Sequence, residues 1–152
     1  NFTLKLKAKG VTYDAAKSRA LGPGGKIYNG TFMGEKATFM VFFNAKSRIV
    51  FGVSVELSYS SVELARVPFT NIAEQLVKKY PKAVYGANKD SNGDTNGLTF
   101  SIPNEADTEK IGVIIQTLNN SQSPLKDDCT IGLMYTDVEN FKKSEALNNE
   151  DL

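Results

Sequence analysis

The densest run of oxygen-bearing side chains is Asp90-Ser91-Asn92-Gly93-Asp94-Thr95-Asn96-Gly97. With Asp90, Asn92 and Asp94 at alternate positions it imitates the opening of a calcium loop, because a hard cation gathers oxygens around a tight turn. The pattern departs where such a loop is most demanding. Counted from Asp90, Thr95 stands where glycine makes the turn and Ser101 where a bidentate glutamate closes the site. Counted from Asn88, Gly93 falls into place but Thr99 comes last, and both flanks read as strands rather than helices. A solvated connection between two strands is the stronger reading, with no metal expected and the cation loop kept as the alternative.

Histidine is absent from the chain, so His-based triads and His metal centres cannot be built from it. The single Cys129 excludes an internal disulfide and a Cys-cluster metal site. Its neighbours Asp127 and Asp128 disfavour a thiolate, so a buried or half-buried strand cysteine is expected rather than a nucleophile. Glu35, Glu56, Glu63 and Glu74 occupy no spacing that demands acid/base work. A non-enzymatic function without cofactor is the expectation, and a carboxylate-only enzyme is the minor alternative.

The elements that would position any site follow from periodicity. Ala37, Phe39, Val41 and Phe43 alternate with Lys36, Thr38, Met40 and Phe42; after the turn-prone Asn44-Ala45-Lys46-Ser47, Ile49, Phe51, Val53, Val55 and Leu57 share one face. This is a β-hairpin. With Phe39, Phe43, Phe51, Val53 and Val55 toward a helical layer, the opposite face carries Met40, Phe42 and Val50, joined later in the chain by Ile114 and Met134. Tyr28 and Phe32 alternate in phase with one another and are placed with that group. Aromatics and methionines on an uncovered sheet face are ordinary for a binding site and unusual for a solvated surface. Cover by a loop, the tail or a second copy is the equal alternative.

Upstream, Lys26 to Met33 reads as a strand turning at Gly34-Glu35, and Gly22-Pro23-Gly24-Gly25 separates it from what precedes. Ser60 with Glu63 matches a capping box that opens a short helical turn containing Val62, Leu64 and Val67. Pro68 is expected to stop or kink that turn, giving a helical pair whose second member carries Phe69, Ile72, Ala73, Leu76, Val77 and Tyr80 on one stripe before Pro81. Strand patterns return at Ala83 to Ala87, Leu98 to Ile102, Lys110 to Leu118 and Asp128 to Asp137, and the tail from Val138 forms a short helix through Phe141 and Leu147.

The order repeats. Asn1-Phe2 with Leu6 and Lys9 matches Asn71-Ile72 with Leu76 and Lys79, Tyr13 matches Tyr85, Asn29-Gly30 matches Asn96-Gly97, and Gly52 matches Gly132. The repeat favours a helix end over residues 1–9, closed by Gly10, over the strand that Phe2, Leu4, Leu6 and Ala8 would otherwise give. The expected fold is one α+β domain over 1–152, a tandem repeat of a helix-loop-helix unit packed on a curved antiparallel sheet of about eight strands. Its halves span 1–59, with the first helix truncated, and 60–137, followed by the tail 138–152.

Leu6-Lys7-Ala8-Lys9-Gly10-Val11-Thr12-Tyr13, Asn29-Gly30-Thr31-Phe32-Met33-Gly34 and Phe51-Gly52-Val53-Ser54-Val55 resemble a group of secreted proteins and lipoproteins of the Bacteroides group. Ala73 to Pro81 looks like that group's helix end, although Tyr80 runs into Pro81 without the usual glycine. The resemblance implies the architecture of the β-lactamase inhibitor protein. No inhibitor contact residue carries over.

Eighteen basic against 17 acidic residues leave a net charge of +1, without the basic excess that nucleic acid demands of a partner. No run of about 18 apolar residues spans a bilayer. The start at Asn1 rather than Met leads to the expectation of a removed signal peptide or a lipid anchor upstream. The combined reading is an extracytoplasmic (periplasmic, surface-exposed or secreted) module that binds a protein or glycan through its sheet face or loops. Its rival is a structural domain that self-associates, for instance as a homodimer.

Overall fold

The alternating segments are strands, and the computed structural model, which describes residues 10–89, 91–103, 109–119 and 129–149, joins them into an antiparallel sheet. In chain order the elements are β1 (Thr12–Asp14), α1 (Ala15–Leu21), β2 (Gly25–Phe32), β3 (Glu35–Phe43), β4 (Val50–Tyr59), α2 (Val62–Lys79), β5 (Val84–Lys89), β6 (Thr95–Pro103), β7 (Glu109–Asn119), β8 (Cys129–Asp137) and α3 (Val138–Asn149). Across the sheet they run β1-β2-β3-β4-β8-β7-β6-β5. The class is α+β, and two meanders meet where β4 pairs β8 antiparallel. The expected helix end over residues 1–9 and the Asp127-Asp128 pair lie outside the described residues.

Helix α2 covers the middle of one face, packing on β4, β7 and β8. Its Ala65, Phe69, Ile72 and Leu76 fall three or four apart and are buried against Val55, Leu57, Phe100, Cys129, Ile131 and Leu133. Burying a side chain of this size contributes about 1.5–3 kcal/mol. Residues 62–79 form one continuous helix rather than a kinked pair, with Pro68 inside it. A proline at such a position costs about 3 kcal/mol, and the buried stripe on both sides of it offsets that cost. The N-cap is Ser61, not Ser60: its side chain accepts from the Leu64 N–H at 3.3 Å. Val77, assigned to the buried stripe, is 45% exposed.

The β2–β3 connection turns on Met33 and Gly34, with φ of 53° and 86°, one residue earlier than the glycine-led turn expected at Gly34-Glu35. Two successive left-handed residues match the twist of a two-residue hairpin, and Gly34 supplies the second without strain. The β3–β4 hairpin forms as expected, its turn held by Asn44, whose Oδ1 accepts from the N–H groups of Lys46 and Ser47, both at 2.9 Å.

Two elements escaped the sequence reading, β1 and α1. Asp14 ends β1 and caps α1, accepting the Lys17 N–H at 3.0 Å and the Asn29 amide at 3.1 Å. Ser18, buried in α1, accepts the Ile27 N–H at 2.7 Å and donates to the Asp14 carbonyl at 2.6 Å. At the other end of the chain α3 docks on the β3–β4 turn. The Asn44 amide reaches Ser144 Oγ at 3.2 Å, and Phe141 meets Phe51 edge-on at 5.5 Å.

Candidate functional site

Register decides which of the proposed surface residues meet. Met40 pairs with Ser54, Ser54 with Met134, and Met134 with Ile114, so these positions make one row across β3, β4, β8 and β7 on the face turned away from α2. Phe42 lies in the adjacent row opposite Gly52. The missing side chain of Gly52 is filled from two sides: a Cβ there would stand 3.0 Å from Met134 Cε and 3.5 Å from Phe42 Cδ2. Phe42 and Met134 are thereby half-buried against their own sheet, and Met40 is half-buried as well. Beside them, Thr12, Asn29, Thr38, Glu56 and Ser58 line a polar hollow of about 670 Å³.

Three members of the expected group go elsewhere. Tyr28 pairs with Phe39, which puts it on the opposite face, 3% exposed and packed with Val11 and Val41. Phe32, in phase with Tyr28, joins the α2 core. Both alternate as expected, and the β2–β3 register, invisible in sequence, turns them inward. The register shift after Phe42 pairs Val50 with Phe43 and so breaks its phase with the Met40 row, while its carbonyl accepts from the Asn140 amide of α3.

Asp90 lies outside the described residues. Asn92 and Asp94 sit in the exposed β5–β6 turn, where the Asp94 carboxylate takes the Arg66 guanidinium at 2.9 Å. That contact ties the turn to α2.

Arg66 also marks the site that sequence reasoning missed. Between the outer flank of α2 and β6 runs a groove of about 560 Å³. Phe69, Ala73 and Val77 form its helical wall and Leu98 its floor. Arg66, Glu74 and Lys78 stand at its rim. The groove exists because α2 lies over the sheet's centre while β6 and β5 continue beyond it. Strand β5 is exposed along its whole length, with Val84 at 72% and Tyr85 at 62% exposure. Tyr85 lies in register with Phe100, their rings 6.0 Å apart. The available signal was the surplus of apolar residues on α2. Leu64, Val67 and Val77 lie outside the buried stripe, and of these three Val77 lines the groove.

The shifts of the titratable groups near the core keep each in its ordinary protonation state at neutral pH. Burial pushes the Cys129 thiol up, with Glu63 adding to it, so the thiol stays protonated inside β8. Burial first, and then its 2.7 Å hydrogen bond to Glu35, raises the Tyr59 hydroxyl well above the ordinary phenol range. Glu63 is held low by its own backbone N–H and by Ser61 at the start of α2. These are structural pairings. Among the described residues Glu74 is the one acid that lines the groove.

Compared with protein-family models, curated proteins and solved structures, the chain finds no match. The resemblance to secreted Bacteroides proteins therefore rests on the residues quoted for it.

Proposed function

We propose that this domain is a non-enzymatic binding module, working outside the cytoplasm, that holds a protein partner in the groove between α2 and β6. The observation that carries it is the groove itself, an apolar floor open to solvent with charges confined to its rim. Its extracytoplasmic place is supported by the resemblance to secreted and lipid-anchored proteins. The tandem organisation, two helix-plus-sheet units with about eight strands in all, belongs to the same proposal. It is supported by the mirror order of the strands about the β4–β8 pair and by matched residues at matched strands: Tyr13 and Tyr85 on β1 and β5, Gly52 and Gly132 on β4 and β8. A glycan reading is favoured by one observation, the polar hollow around Asn29, Thr38 and Glu56.

A displayed peptide library panned on the full chain tests this. Binders selected on the native protein are expected to lose about tenfold in affinity, or about 1.4 kcal/mol, on Val77→Asp. The melting temperature should barely move, because Val77 is already half exposed. Binders that ignore Val77→Asp but fail on Glu56→Gln would transfer the site to the polar hollow.

A further inference from the structure

We infer that the groove's occupant is an extended acidic segment that adds a strand to β5. This deepens the groove reading and rests on it. Among the described residues β5 stands last in the sheet order, so the edge facing away from β6 offers a row of backbone donors and acceptors. Only another extended backbone can satisfy such a row in register; a helix laid in the groove would leave it to water. The side chains of an added strand then alternate between the two faces of the sheet. On the α2 side they meet Tyr85 and Ala87, which lie in register with Phe100 and Leu98. Ala87 is small. A long apolar side chain opposite it reaches over the methyl group toward Leu98 and into the groove.

Charge selects the occupant further. Exposed Lys89 ends β5, exposed Lys82 precedes its first residue by two, and Lys78 lines the groove, against Glu74 among the described residues that line it. The Arg66 and Asp94 charges already answer one another. An antiparallel second copy would bring the lysines at one end of β5 against those at the other end of its partner, which like-charge repulsion opposes. An acidic segment meets the same lysines favourably.

The probe is a short synthetic peptide alternating leucine with threonine, with glutamates at both ends, titrated by fluorescence anisotropy onto the full chain. Two further peptides carry N-methyl groups on one or the other alternate set of backbone amides. Only one set faces β5 in strand addition, so one methylated peptide should lose about tenfold or more while the other binds within about twofold of the parent. Lys82→Glu with Lys89→Glu should weaken the parent peptide by about tenfold and flatten its salt dependence. Ala87→Phe, which suits an exposed strand, should weaken it without lowering the melting temperature. Equal loss from both methylated peptides, or no binding of the parent peptide, overturns strand addition. If equal loss comes with sensitivity to Val77→Asp, the groove reading stands while strand addition falls.

Discussion

The sheet ends differently at its two edges. At one, β1 is three residues long, stopped by an aspartate that turns at once into the cap of α1, and Ser18 of that helix is stitched to β2. At the other, β5 runs for six exposed residues and returns to β6 through a polar turn with no helix between them. Both edges carry a tyrosine tilted against a buried ring of the next strand, Tyr13 against Tyr28 and Tyr85 against Phe100. One edge is therefore short and capped while the other is left long. Short edge strands are a device against unwanted pairing, and the edge without that device is the one fit to receive a partner.

If the two edges share one internal construction, their buried rings should matter alike. Phe100→Ala and Tyr28→Ala remove side chains 1% and 3% exposed, and each is expected to cost about 3–5 kcal/mol in chemical denaturation. A much smaller cost for Phe100→Ala would mean that the β5–β6 end is loosely packed, and the contrast between edges would then be one of order rather than of design.

How far the sequence carried this comparison depends on the kind of signal. The β3–β4 hairpin was legible because both strands alternate strictly and a polar tetrapeptide joins them. Most of the α2 stripe was legible for the same reason, from spacing alone. Strand register was not. Tyr28 and Phe32 were correctly put in phase, yet only the pairing of Tyr28 with Phe39 decides which face they share. Helix α1 was lost because a short helix between a three-residue strand and a glycine-rich turn leaves too few apolar repeats to show a period. The groove was lost because it arises from how far β6 and β5 extend beyond α2, a tertiary offset that an apolar surplus on the helix hints at but does not place. The apolar row of Met40 and Met134 was found, but the sheet closes over it at Gly52, which no residue type announces.

The stitching of the blunt edge gives the next effect in size. Ser18→Ala deletes the hydroxyl that accepts the buried Ile27 N–H, so the amide loses its partner and about 1–3 kcal/mol of stability should go with it. No equivalent polar stitch at the β5 edge is expected to approach that figure. Arg66→Ala, which frees the exposed β5–β6 turn from α2, should cost under about 1 kcal/mol because an ion pair in water contributes little. A larger loss would show that the long edge is also pinned, and would weaken its assignment as the receptive side.

The smallest effect expected is a pH dependence confined to the blunt edge. Asp14 titrates below its ordinary value of 3.8, chiefly because the Lys17 N–H donates to its carboxylate and secondly because the Asn29 amide does. A carboxylate with a lower pKa in the folded state than in the unfolded one stabilises the fold above the unfolded value and stops doing so as pH falls through the folded value. The contribution from Asp14 is therefore whole at neutral pH and fades below about pH 4. Asp14→Asn keeps an oxygen that can accept the Lys17 N–H, so α1 should still form, but that oxygen does not titrate. Melting curves of the two proteins recorded from pH 6 down to about pH 3 should converge at the acid end, since Glu63, also held low, is common to both and cancels in the difference. Curves that run parallel throughout would mean that the cap does its work as a neutral acceptor, and the β1 edge would then be closed by geometry without help from charge.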